Sequence, residues 1–177
     1  VSGNTFGVGG NVSITTGSDD DTIDLSNATI AKNLLIAAND DDNQITITDS
    51  DVDGNITRIS TGLDIDNITL DSSDFKRLFV LTGDGDKTVD VDGVTAVSVN
   101  VTTGAVGFDT VNITNSDFAL ASSVSTGALD DTVTVSGSDF LGGLTADGGF
   151  GFDIFNGLAP SYGNTGSITV IGFEITN

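Results

Sequence analysis

The chain contains no cysteine, histidine, methionine or tryptophan, and a single proline, in 177 residues. Without cysteine there is neither a disulfide framework nor a thiolate metal site. Without histidine there is no imidazole to serve as a general base near neutral pH. Positive charge is nearly missing too: Lys32, Arg58, Lys76, Arg77 and Lys87 stand against 26 acidic residues, for a net charge of −21. No basic groove can be assembled from five scattered cations, which excludes nucleic acid and anionic membrane surfaces as partners. Long apolar runs are absent as well, so no segment reads as a membrane-inserting helix. Glu174 is the only glutamate and glycine numbers 23, a composition with no amphipathic helical face to write.

What is present is aspartate, threonine and short alternating apolar pairs, arranged in a repeat. The stretch Thr126 to Phe140 is its clearest copy: a Thr-Gly turn, an acidic pair at Asp130 and Asp131, alternating Val133 and Val135, a small polar turn, and Phe140. Thr-Gly starts at Thr16, Thr61, Thr82, Thr103 and Thr126, with degenerate starts at Ala38 and Ala146, give intervals of 20 to 23 residues. A near-constant period in this range marks a solenoid, whose repeats bury their apolar faces only against one another.

Within each repeat the spacing is strand-like. Val133 and Val135 have counterparts at Ile23 and Leu25, Ile45 and Ile47, Ile68 and Leu70, Val89 and Val91, and Val111 and Ile113, each pair on one face. Five residues on, a second column reads Phe6, Ile30, Val52, Phe75, Ala96, Phe118 and Phe140, and a third precedes each Thr-Gly, as at Leu34 and Ile36 or Val99 and Val101. Two or three short strands per coil, without the strict hexapeptides of the left-handed form, predict an all-β chain: a single right-handed parallel β-helix of roughly eight coils, about 38 Å long at about 4.8 Å per coil. Residues 1–145 form the regular repeats. Residues 146–177, with Phe150, Phe152, Phe155, Pro160 and Tyr162, read as a divergent C-terminal coil, cap or assembly interface of the same domain.

The repeat resembles tandem-repeat, adhesin-like surface proteins of bacteria, most closely at Gly9-Gly10-Asn11-Val12-Ser13-Ile14-Thr15-Thr16-Gly17. The resemblance covers about residues 1–145 and implies a right-handed β-helix at the cell surface or outside the cell, with no catalytic residues to transfer. The match of Val1-Ser2-Gly3 through Phe6 to Val135-Ser136-Gly137 through Phe140 adds the expectation of an exported, processed chain.

Stacked coils would bring Asp19, Asp21, Asp40, Asp42, Asp64, Asp84, Asp86, Asp109, Asp130 and Asp131 into a ladder. Unit charges about 4.8 Å apart repel by about 0.9 kcal/mol in water and roughly 3.5 kcal/mol at an effective dielectric of 20. A hard cation with oxygen ligands relieves this, so calcium is the candidate cofactor and these residues its metal ligands. The plainer reading is that they are solvated turn residues, since aspartate bonds its own backbone and tolerates left-handed conformations. Only Gly83-Asp84-Gly85-Asp86 approaches a calcium-binding nonapeptide.

Other chemistry is weaker. Arg58, Lys76 and Arg77 offer a lyase-type base only if acids converge on them, and the many carboxylate pairs suited to glycoside hydrolysis arise by accident in so acidic a chain. The column Thr16, Thr61, Thr82, Thr103 and Thr126 is a single row, not an ice- or carbohydrate-binding array, and the sequons at Asn11, Asn27, Asn55, Asn67, Asn100 and Asn112 follow from the Asn and Thr of the repeat. The expectation is therefore a non-enzymatic, extracellular structural or adhesive solenoid that builds a filament or surface layer by end-to-end strand stacking. Its partners would be further copies of itself and surface polysaccharide. The alternatives are a carbohydrate-active enzyme, lyase or hydrolase, or a carbohydrate- or ice-binding module on the same fold.

Overall fold

Three apolar columns repeating every coil can be buried together only if the coils stack in register around them. The computed structural model, which describes residues 6–157 and 166–176, shows this arrangement: all-β, with every strand pairing parallel. It is a solenoid of about seven turns of about 22 residues. One sheet holds eight strands, Thr22–Ser26, Asn43–Thr48, Asp66–Asp71, Lys87–Asp92, Thr110–Thr114, Thr132–Ser136, Ile154–Asn156 and Ile175–Thr176. Eight rungs enclose seven turns, one fewer than the coil count suggested by the sequence. The other sheet has 13 strands and carries the second and third columns together. Its continuous strand Asp74–Leu81 pairs with both Asp51–Val52 and Thr57–Ser60 of the preceding turn.

All three predicted columns face inward. Ile45, Ile47, Leu34, Val80, Val99, Val101, Val111 and Ile113 are wholly or almost wholly buried, and Phe118 stacks on Phe140 with ring centroids 4.9 Å apart. Ala96 lies between Phe75 and Phe118 in the same column.

Two details of the alignment are corrected by the register. Val8, not Phe6, pairs with Ile30, so the second column begins two residues later than expected. Ala146 pairs with Val124, which makes Gly148 the counterpart of Thr126 and the last interval 22 residues instead of 20. Both slips are by two residues, which preserves the facing of every side chain. The opening residues Val1 to Thr5, together with Pro160 and Tyr162, lie outside the described residues. The described part of the 146–177 segment continues the solenoid: Leu144–Asp147 pairs with Ile168–Ile171, and Ile154–Asn156 with both Thr132–Ser136 and Ile175–Thr176.

Two corners join the strands of each turn. At the first, Asn27, Asp49, Ser72, Gly93, Asn115 and Gly137 occupy equivalent positions with φ between 48° and 62°, the left-handed region open to Gly, Asn and Asp. The next residue turns inward: Ser50, Ser73, Ser116 and Ser138 are buried. Each hydroxyl accepts the amide of the rung before, as from Ala28 to Ser50 at 3.1 Å and Val94 to Ser116 at 3.0 Å. Each also donates to a carbonyl two residues back, Ser116 to Thr114 at 2.7 Å. The serine ladder thus supplies the hydrogen bonds that the bent backbone cannot make with itself. The second corner carries the acids.

Candidate functional site

The alternation that buries Val133 and Val135 continues one step further back, to Asp131. The same holds on every turn, and it defines an inner column of Asp21, Asn43, Asp66, Lys87, Asp109, Asp131 and Asp153. From Asn43 onward all of these side chains are buried, Asp66 and Asp153 at 0% exposure and Asp109 and Asp131 at 1%. Each carboxylate or amide oxygen caps the backbone N–H of the rung below. Asp109 Oδ1 accepts from Lys87 at 2.9 Å, Asp131 Oδ1 from Asp109 at 2.8 Å, and Asp153 Oδ1 from Asp131 at 2.8 Å. Asn43 Oδ1 accepts from Asp21 at 3.3 Å, and Glu174 Oε2 closes the series on Asp153 at 2.7 Å.

The second polar atom of each inner residue is handled differently from turn to turn. Asn43 Nδ2 turns into its own corner and donates to the carbonyls of Asn39 at 3.0 Å and Asp41 at 2.7 Å. On the next turn, the equivalent carbonyls of Gly62 and Asp64, together with Asp66 Oδ2, take the Lys87 ammonium at 3.1, 2.6 and 2.7 Å. Lys87 and Asp66 form a buried ion pair with neither side chain exposed. Asp109 Oδ2 accepts from the Thr103 hydroxyl. The Oδ2 atoms of Asp21, Asp131 and Asp153 are buried with no hydrogen-bond partner.

Burial sets the electrostatics of this column. It pushes the Asp131 carboxyl up to about 7, with the Asp109 amide and the nearby Thr126 hydroxyl opposing and the charges of Asp109 and Asp153 adding to the rise. Burial raises Asp109 as well, against the Thr103 hydroxyl and the Lys87 amide. For Asp153, burial is again the main cause of a raised value, with the Glu174 charge contributing.

The ten aspartates expected to form one ladder are therefore distributed over several positions of the corner. Asp21, Asp109 and Asp131 belong to the inner column. Asp42, Asp86 and Asp130, with Asp20, form an outer column one residue earlier, where each Oδ1 caps the amide of the rung above: Ile65 at 3.0 Å, Phe108 at 2.9 Å and Phe152 at 2.9 Å. From Asp42 onward this column alternates acid and apolar residue, which separates successive carboxylates by two rungs. Ile65, Phe108 and Phe152 are about half exposed, so the acidic corner is also an apolar ridge. Asp40 and Asp84 cap Leu63 at 3.1 Å and Ala105 at 2.7 Å from a third position. Asp19 and Asp64 adopt positive φ, 99° and 76°, as do Asp41, Gly85 and Leu129 at the equivalent place.

The sequence reading missed Asn43, Asp66, Lys87 and Asp153. A signal existed in the parity: each stands two residues before an inward Ile, Val or Phe, and a lone lysine among aspartates marks the one turn that supplies its own cation.

The predicted threonine column is present, and it too points inward. Thr103 and Thr126 are buried, and their hydroxyls donate to the carbonyls of Thr126 at 2.9 Å and Gly148 at 3.2 Å, one rung above each. Arg58 is exposed beside a shallow groove lined by Ser13, Thr15, Leu35 and Ser60, whereas Asp49, Asp51 and Asp74 line a separate groove with Asn27 and Thr29. No family of proteins, no curated protein and no solved structure matches the chain.

Proposed function

We propose that this protein is an extracellular structural or adhesive solenoid of the bacterial surface-protein type, which propagates by adding rungs end to end. The observation that carries the reading is the repeated register. Strands Val12–Thr15 and Thr22–Ser26 at one end, and Ile168–Ile171 and Ile175–Thr176 at the other, each have a single neighbour among the described residues. A free parallel edge is a template for one more rung, and contact between two different ends is heterologous and need not close. Strand addition supplies the backbone hydrogen bonds, and exposed Phe150 and Phe152 near the upper end supply apolar contact. The acidic surface keeps single molecules apart at low salt and permits association once it is screened. Arg58 stands apart from the aspartate groove, which weighs against a lyase built on that residue, whereas Lys76 lies close to Asp51 and does approach the groove.

Light scattering and electron microscopy on the isolated chain test it. Particles that lengthen with concentration at high ionic strength are expected. A monodisperse monomer under the same conditions contradicts end-to-end assembly.

A further inference from the structure

The acidic corner is completed by an amide at Asn43, by an ammonium at Asp66 and by the Thr103 hydroxyl at Asp109. Its backbone varies: Gly127 and Gly149 are left-handed, with φ of 102° and 85°, where the equivalent Asn39 and Gly62 are not. In the Asn43 turn, the carbonyls of residues four and two positions before the inner residue bind that residue's own amide. In the Asp66 turn, the same two carbonyls and the carboxylate bind the Lys87 ammonium. The turns of Asp131 and Asp153 have the same five-residue span from Thr126 and Gly148 to the inner acid. Leu129 has φ of 83° where Asp41 has 73° and Asp64 has 76°. The carbonyls also lie alike with respect to the rung above: a Cβ on Gly85 would meet Asp64 O at 2.4 Å, and one on Gly151 would meet Leu129 O at 2.0 Å. The Asp153 carboxylate folds back over its own corner, since a Cβ on Gly148 would meet its Oδ2 at 2.8 Å. Yet residue 131 is neither an Asn, which would turn its own amide into the corner, nor followed one rung up by a Lys, which would supply an ammonium.

We infer that a calcium ion binds along the inner column between the Asp131 and Asp153 turns, taking their buried, unpartnered Oδ2 atoms together with corner carbonyls, in the role that the Lys87 ammonium plays at Asp66. Every donor is an oxygen, the set preferred by a hard cation, and calcium tolerates the irregular mixture of carboxylate and carbonyl ligands that magnesium does not. A divalent ion balances two adjacent carboxylates as Lys87 balances one. Among the described residues no group of three or more acidic side chains converges on one point, so the site draws on backbone carbonyls as the Lys87 site does. The groups facing it are Asp109 from below, Asp130 and Asp147 from the sides and Glu174 from above, all acidic.

The test compares three forms of the chain: wild type, Asp131→Asn with Asp153→Asn, and Asp42→Asn with Asp86→Asn as a control on outer-column turns away from the site. Each is titrated with calcium by calorimetry and melted in calcium or in chelator, at about pH 8 and fixed high ionic strength so that screening is constant. Asn43 occupies the same position naturally, so the inner variant is expected to fold. Single-site binding and a melting temperature several degrees higher in calcium are expected for wild type and for the outer control, with both effects abolished in the inner variant. Absence of calcium binding in wild type overturns the inference. So does binding that survives in the inner variant or vanishes in the outer one. If the double substitution does not fold, Asp131→Asn alone decides: calcium affinity must fall at least tenfold, and unchanged affinity refutes the site.

Discussion

At the scale of single residues, the consequential choice is what stands two positions before the first inward aliphatic of each turn. An aspartate there caps the rung below through one oxygen and leaves the other inside the protein, where an unpaired polar atom costs on the order of 1–3 kcal/mol. Asn43 avoids that cost with an amide, and Lys87 removes it for Asp66 with an ammonium. Removing one member of a buried ion pair strands the other, typically at about 3–5 kcal/mol. Lys87→Met is therefore expected to destabilise the chain by about that amount in chemical denaturation. Adding Asp66→Asn should recover most of the loss, because the introduced amide would bind the Gly62 and Asp64 carbonyls as Asn43 binds those of Asn39 and Asp41. A single substitution that costs under about 1 kcal/mol would show that the pair does not hold the corner.

At the scale of the element, a rung is a strand, a left-handed corner, a two-part strand and an acidic corner. The strands were legible because period-two alternation states which side chains go in, and every predicted column is buried. Phe118, 1% exposed and stacked on Phe140, tests this: Phe118→Ala is expected to cost about 3–5 kcal/mol, read from equilibrium unfolding, and less than about 1 kcal/mol would mean the wrong face had been placed inside. The corners were only half legible. Asn27, Asp49, Asn115 and Gly137 announce a turn by residue type. In the pair Asp130-Asp131, by contrast, two identical side chains have opposite fates, one exposed and one wholly buried. Residue type cannot separate them, and only continuing the alternation from Val133 backward does so. The degenerate start at Ala38 held, since Ala37 pairs with Thr15 and Ser60, but the one at Ala146 failed for a related reason: Gly148 replaces the threonine of the corner, so the nearest Thr-Gly look-alike, Ala146-Asp147, drew the alignment two residues short.

At the scale of the whole molecule, a chain of net charge −21 folds because its acids are divided. The outer column spaces them two rungs apart from Asp42 onward, with Ile65, Phe108 and Phe152 between, while the inner column gives up part of its charge to burial. That division predicts an unusual pH dependence, and the absence of histidine makes it readable. Between about pH 5.5 and 7.5 the carboxylates of an unfolded chain are ionised and, apart from a terminal amine, few of its groups titrate. Asp131, raised to about 7 when folded and ordinary when unfolded, binds a proton in the native state that the unfolded state does not. Its contribution to stability is thus fully present below the unfolded value and is lost as pH rises through about 7, with Asp109 and Asp153 acting in the same direction. The decisive measurement is the melting temperature in chelator across this window, for wild type and Asp131→Asn side by side. An inward acidic column predicts a wild-type melting temperature that falls by a few degrees from about pH 5.5 to about 7.5, and a clearly flatter profile for the variant. A wild-type melting temperature that rises with pH, or two parallel profiles, would contradict it.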